Sequence, residues 1–350
     1  MKRVATLMMA LAMILSLAAC GGGTPADQSA TPAPASTPAN PGAIPVKYSV
    51  VFAATGWQAD GAKRLGELID EKSEGRLSME FHPGATLGDK IATMEALRMG
   101  TIEMTECAAT DLSSYSSIWS VFSLPYLWMD GDQAIDVLMD PAVQEVLNAD
   151  MEANGFKIIA WTNTGARSIL NKTRPINSPA DLKGLKIRCM EDPILAGAIN
   201  AMGASATPLA FSECYAALQQ GTIDGLEHSP AGILSAGMAE VAKYYSLTEQ
   251  FIIPDPVFVG KIWFDRQTPE NQAALIAAGE AFTKEWNEDI YVTNNESALG
   301  ELESQGVQIN EVDKSVFVEA TQSVVDDFLA KADGNQKALY DLLMEVRANY

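Results

Sequence analysis

Ser178-Pro-Ala-Asp-Leu-Lys-Gly-Leu-Lys-Ile-Arg188 decides how this chain is read. Ser178 followed by Pro179 is a helix-start signal: a hydroxyl suited to capping free amides, then a residue whose missing N–H costs nothing at the first helical position. Residues 185–189 read as a strand, so the stretch delivers Arg188 near the end of a short apolar strand. A guanidinium held there is a planar fork whose parallel N–H donors match a carboxylate. The competing reading is an ordinary ion pair with one of the chain's own acids.

Working outward, 193–202 and 212–220 have helical character, the latter ended by Gly221, with a short strand at 207–209 and a turn or short strand at 223–226. Upstream, 156–161 is strand-like, and Gly165-Ala166-Arg167 places a second arginine just beyond it. These elements make one α/β unit over about 165–253. Nearer the N-terminus the order is strand 46–54, helix 59–71, strand 77–81, helix 89–99 and strand 101–108, which predicts a second α/β unit with a mostly parallel sheet. Beyond both, Thr268-Pro269-Glu270 opens a helix with a cap, a first-position proline and an acid in the first turn. Leu275, Ala278, Phe282, Trp286 and Ile290 then recur at spacings of three and four, and no proline interrupts before Gly306. A helix over 268–305, kinked or straight, would run on the order of 50 Å, enough to touch two domains. Residues 312–350 read as further helices.

The first 45 residues have a different character. Lys2 and Arg3 precede an apolar run from Val4 to Leu17, and Leu17-Ala18-Ala19-Cys20 follows, the pattern of an export signal with a lipoprotein cleavage site. On this reading Cys20 is lipidated and holds the protein at a membrane surface outside the cytoplasm. Residues 21–45 are mostly Gly, Pro, Ala, Thr and Ser with little to bury, the composition of a tether.

The chain has 350 residues, a formal net charge of −21 and 20% charged residues. So acidic a surface repels nucleic acid, which excludes a DNA or RNA partner, and an anionic ligand would need a local cluster of basic side chains. Cys107, Cys189 and Cys214 form no disulfide framework by number or spacing and are expected as small buried thiols, although one bridge is conceivable. His82 and His228 are the only histidines. No HExxH, CxxC, GxSxG, Walker A or GxGxxG pattern occurs, so nothing here announces a metal, redox, serine-hydrolase or nucleotide site.

The opening stretch, with several others in order, resembles the substrate-binding proteins of tripartite ATP-independent periplasmic (TRAP) transporters, the DctP-type family. The others are Gly75-Arg76, Leu87-Gly88, Gly100-Thr-Ile-Glu-Met-Thr105, Phe122-Ser-Leu-Pro-Tyr-Leu-Trp128, Ala210-Phe-Ser-Glu-Cys-Tyr215, Leu218-Gln-Gln-Gly-Thr-Ile-Asp-Gly225, Glu240-Val-Ala-Lys-Tyr-Tyr-Ser-Leu247 and Thr268-Pro-Glu270. The likeness covers about residues 46–305.

The resemblance implies an α/β, two-lobed periplasmic-binding-protein-like clamshell with a hinge and a long helix packing along both lobes. Lobe I would comprise 46–164 plus about 254–290; lobe II would comprise 165–253 plus part of the C-terminal helices. It further implies binding without catalysis or cofactor: a small carboxylate is enclosed and delivered to an integral-membrane permease driven by an ion gradient. Arg188 matches the family's main carboxylate-binding arginine, Arg167 its second, and Phe211 an aromatic that lines the pocket. Glu213 lies in the same segment. His228 stands where an asparagine is usual and could add a second cation or contact a hydroxyl. In lobe I the loops at strand C-termini, where open α/β sheets bind ligands, supply Trp57, Gln58, Lys90 and Ala108. The motifs are most like those of members that bind sugar acids such as uronates; C4-dicarboxylates, 2-oxo or 2-hydroxy acids and aromatic acids stay open. So do a sensor that signals through a membrane receptor and a secreted enzyme, the latter requiring an acid/base pair that the sequence does not advertise.

Overall fold

The computed structural model describes residues 42–350; the export signal, Cys20 and all but the end of the tether lie outside the described residues. Two mixed sheets organise the chain. The first contains β1 (Ile44–Ser49), β2 (Leu77–His82), β3 (Met104–Glu106), β4 (Phe156–Thr162) and β10 (Asp255–Gly260), in the order β2-β1-β3-β10-β4. The second contains β5 (Ala166–Asn171), β6 (Lys186–Cys189), β7 (Ser205–Pro208), β8 (Gly225–His228), β9 (Tyr244–Ile252) and β11 (Gln308–Glu311), in the order β11-β9-β5-β8-β6-β7.

The expected mostly parallel sheet holds only in part. β1 runs parallel to β2 and β3, and β6 runs parallel to β7 and β8. β10, however, is antiparallel to both β3 and β4, and β5 is antiparallel to both β8 and β9. The cause is the path of the chain. It leaves the first sheet after β4 and returns directly from β9 into β10, so the returning strand runs against its new neighbours. The two crossings, 163–165 and 253–254, join the lobes.

Each sheet is covered by helices whose apolar faces dictate their placement. Trp57–Ser73 buries Ala59, Ala62, Leu65, Leu68 and Ile69 and stops at Glu74, whose φ of 53° and that of 76° at Gly75 turn the chain. The helix-start signal at Ser178 gives only one turn, Pro179–Leu182. There the Asp181 carboxylate accepts from the Ser178 N–H at 3.0 Å and from its hydroxyl at 3.1 Å, and Gly184 at φ 81° prevents the turn from continuing.

The long helix begins at Pro269, capped by Thr268, and runs to Glu285; a π-turn, Trp286–Ile290, leads into Tyr291–Ser304. The π-turn is the expected kink, and it grips the first crossing. Trp286 Nε1 donates to the Asn163 carbonyl at 2.8 Å, Asn287 Oδ1 accepts from the Asn163 N–H at 2.9 Å, and Asn287 Nδ2 donates to the Trp161 carbonyl at 3.1 Å. The first half of the helix packs on β4 and Trp57–Ser73, the second on Pro230–Ser235 in lobe II. The closest approach is at Gly279, where a Cβ would lie 1.9 Å from the Ile159 carbonyl oxygen. Gly279→Ala is expected to destabilise the fold by about 1–3 kcal/mol, read as a lowered denaturation midpoint, because that clash is with backbone and cannot be relieved by a side-chain shift.

The C-terminal helices divide between the lobes. Ser315–Lys331 packs on Pro193–Ala201, whereas Gly334–Arg347 returns to lobe I and buries Leu339, Leu343 and Val346 in the core that holds Trp119 and Leu147. Cys107, Cys189 and Cys214 are free, buried thiols. Among the described residues no helix is long and apolar enough to cross a membrane.

Candidate ligand-binding site

The order β5-β8-β6 brings Arg167, Glu227 and Arg188 together, one from each strand. Arg188 is 3% exposed. Its Nε donates to the Leu209 carbonyl at 2.7 Å, and its Nη1 stands 4.0 Å from Glu227 Oε1, beyond hydrogen-bond reach. That Nη1 is buried and has no hydrogen-bond partner among the described residues. A charged donor left unsatisfied in the interior is costly, so the position points to a missing acceptor.

Arg167 is arranged differently. Its Nε donates to Glu227 Oε2 and its Nη2 to Glu227 Oε1 at 3.1 Å and to the Glu227 carbonyl at 3.2 Å. Burial opposes the charge on Arg167, but Glu227 more than offsets this and keeps the guanidinium charged. Both of those nitrogens therefore face an internal partner, the ordinary ion pair that sequence reasoning held as its alternative.

His228 ends β8. Its Nδ1 accepts from the Ser229 N–H at 2.9 Å, which leaves the proton of the neutral ring on Nε2. Burial, then Arg167 and Arg188, hold its pKa well below the usual histidine range. Burial and the two guanidiniums thus favour, of the two roles expected for His228, the neutral ring that contacts a hydroxyl over the second cation. The Phe211 ring lies 4.8 Å from the His228 ring and 5.7 Å from Arg188 Cζ, so Phe211, still 38% exposed, covers both. Gly232 is required here, because a Cβ on it would come within 2.1 Å of the imidazole. Glu213, on the same turn as Phe211, is exposed and has no contact with Arg188 or His228 among those described.

The lobe I residues fall into two groups. Lys90 donates to Asp111 at 2.8 Å, and although burial opposes it, Asp111 and Asp255 keep it charged. Asp255 follows the 253–254 crossing directly, and Arg167 pairs with Phe251 on the strand that leads into that crossing, so the two lie at the same junction between the lobes. Ala108 packs with Ile169, Leu195, Phe251 and Ile253 of lobe II, and the neighbouring Ala109 N–H donates to the Pro254 carbonyl at 3.0 Å. Ala108 thus seats one lobe on the other. Trp57 packs against Trp286, ring centroids 5.1 Å apart and planes tilted by 39°, with Gln58 half-buried beside it; the indole N–H of Trp57 is buried without a partner among the described residues.

Sequence reasoning did not single out Glu227, Glu106 or Asp255. Glu227 is 0% exposed and is the counter-ion of the site. The available signal is an acid directly after Ile223-Asp-Gly-Leu226, a segment read as a turn or short strand. Glu106 accepts from the Tyr48 hydroxyl at 2.6 Å, and Asp255 opens β10.

Comparison with known proteins agrees with this geometry. Residues 48–332 match the family described as bacterial extracellular solute-binding protein, family 7. The 2,3-diketo-L-gulonate-binding periplasmic protein YiaO of Escherichia coli is 30% identical over 287 residues, 82% of this chain and 87% of that protein. A TRAP periplasmic solute-binding protein of a Sulfitobacter species, solved with bound β-D-galacturonate, superposes with a TM-score of 0.80 at 30% identity, covering 86% of this chain and 100% of its own. A second, from Chromohalobacter salexigens with bound D-glucuronate, gives 0.81 at 27% identity, covering 87% and 100%. The two-sheet, two-lobed architecture, the ordered motifs and the buried arginine pair have one common explanation: this chain belongs to the family 7 extracellular solute-binding proteins of TRAP transporters, which bind solutes for transport and are not enzymes.

Proposed function

We propose that this protein captures a small organic acid, a sugar acid such as a uronate, by clamping its carboxylate on Arg188, and delivers it to an ion-gradient-driven TRAP permease. The observation that carries the clamp is the buried Arg188 Nη1 with no acceptor. A ligand carboxylate there would accept from it, with Arg167 close by as a second cation and His228 Nε2 as a neutral donor. Phe211 supplies an apolar face for a sugar ring. The sugar-acid class is supported by the uronates bound to the two similar structures and by the sugar acid that the Escherichia coli relative is named for. The export signal and Cys20 support a lipid anchor on the outer face of the cytoplasmic membrane or in a periplasm, with the tether giving the lobes freedom to reach the permease.

A thermal-shift screen of the chain from residue 21 onward tests the reading, against uronates, aldonates, C4-dicarboxylates, 2-oxo acids and aromatic acids. A ligand that binds only the folded state raises the melting temperature by mass action, by ~2.7 kcal/mol of added stability at a hundred times its Kd. The expected result is a shift with uronates. No shift with any of these acids, before and after unfolding and refolding to empty the site, would refute it.

A further inference from the structure

We infer that Glu106, Asp111 and Asp255 make the lobe I wall of the cleft a screen that accepts the hydroxyls of a sugar acid and repels a second carboxylate. The protein would therefore take polyhydroxy acids with one carboxylate and reject diacids. This rests on Arg188 holding the ligand's single carboxylate, as proposed above.

The strand register sets the wall. β10 lies between β3 and β4, with Asp255 opposite Thr162 and Val257 opposite Glu106. Opposed residues of an antiparallel pair share a face, and so do alternate residues of one strand. Glu106 and Asp255 accordingly stand on one face, at the end of the sheet where the chain crosses from lobe II. Asp111 follows on the turn Ala109–Ser114.

The available hydrogen-bond capacity in this wall is lopsided. One oxygen of Glu106 accepts from Tyr48, and Lys90, the cation of the group, already donates to Asp111. The Asp255 carboxylate has no hydrogen bond among the described residues, although it lies in the fields of Lys90 from its own lobe and of Arg167 from the other. The wall thus presents carboxylate oxygens, which accept hydrogen bonds and cannot donate them while ionised. Beside it the Thr110 hydroxyl, on a residue 2% exposed, has no partner among the described residues, a second sign that a polar molecule completes this wall. A sugar hydroxyl satisfies such acceptors. The far carboxylate of a diacid, whose near end is on Arg188, would meet like charge, and rejection built from repulsion is how binding sites separate close analogues.

The wall also carries a pH dependence. Burial, then Glu106 and Asp111, push the Asp255 carboxyl up to about 7, against the pull of Lys90 and Arg167. Burial raises Glu106 as well, opposed by Tyr48 and Lys90. Of the other groups that face them, Lys90 and Arg167 stay charged and Tyr48 and Cys107 stay neutral from pH 5.5 to 8, and His228 is held well below the usual histidine range. As pH falls through 7, Asp255 gains a proton, loses its repulsion and becomes a donor, so the rejection of diacids weakens.

Isothermal titration with D-glucuronate and D-glucarate tests this, because glucarate carries carboxylates at both ends. Wild-type protein at pH 8 is expected to prefer glucuronate by at least about 100-fold, the scale of a like-charge contact of a few kcal/mol. Asp255→Asn and Glu106→Gln, each nearly isosteric, should each narrow that ratio by about tenfold, chiefly by tightening glucarate, and wild-type protein at pH 5.5 should show the same narrowing. If wild-type protein binds the two acids equally, the screen is refuted. A ratio unmoved by both variants and by pH, while Arg188→Ala abolishes binding, refutes the screen and leaves the clamp standing. Arg188→Ala that binds glucuronate like wild type removes the clamp and this inference with it.

Discussion

Arg188→Ala is expected to weaken uronate binding by at least two orders of magnitude while the protein stays folded. Truncating one partner of a buried, hydrogen-bonded charge pair costs about 2–5 kcal/mol, and each 1.4 kcal/mol is a factor of ten in Kd. The fold should tolerate the loss because Arg188 contributes little internal pairing. Its Nε bonds one carbonyl, that of Leu209, and its Nη1 reaches no closer than 4.0 Å to Glu227, whose carboxylate keeps Arg167 in its absence. Titration calorimetry gives the affinity, and a melting curve without ligand gives the stability. Arg188→Lys is a sharper probe: it restores the charge but not the planar fork, and should remain at least about tenfold weaker than wild type. Binding by Arg188→Ala within a few-fold of wild type would sink the carboxylate clamp.

Most of the architecture was legible in the sequence because it is written in local signals. Thr268-Pro269-Glu270 marks the start of the long helix, and its apolar spacing carries through the π-turn, since one extra residue in a turn barely changes which face is buried. The mixed character of the sheets was not legible, because strand direction at β10 depends on the chain's return from lobe II and on nothing in Asp255–Gly260 itself. In the candidate site, the place of Arg188 near the end of a short buried strand was legible from its motif. The division of labour between the arginines was not: Arg167 and Arg188 look alike in sequence, and only the position of β8 between their strands gives Glu227 to Arg167 and leaves Arg188 Nη1 without an acceptor. His228 shows the same limit. A histidine's charge is set by its surroundings, here burial first and then two guanidiniums supplied by other strands.

Glu227→Leu should produce the largest loss of stability of any single substitution at the site, about 3–5 kcal/mol. The carboxylate is fully buried and serves two cations: it receives two hydrogen bonds from Arg167 and stands 4.0 Å from Arg188. Without it both guanidiniums remain in the interior and lose the carboxylate that stands between them, so the cost is that of poorly compensated charge rather than of a lost contact. Two consequences separate this account from simple loss of packing. Adding Arg167→Met to Glu227→Leu should recover part of the stability, because removing both members of a buried pair is cheaper than removing one. A saturating uronate should also raise the melting temperature of Glu227→Leu at least as much as that of wild type, since the ligand carboxylate supplies the missing negative charge. Equilibrium denaturation of the wild type, the single variant and the double variant, with and without uronate, measures both. A double variant no more stable than Glu227→Leu alone would mean that Glu227 acts through its shape, and the electrostatic account of the site would fall.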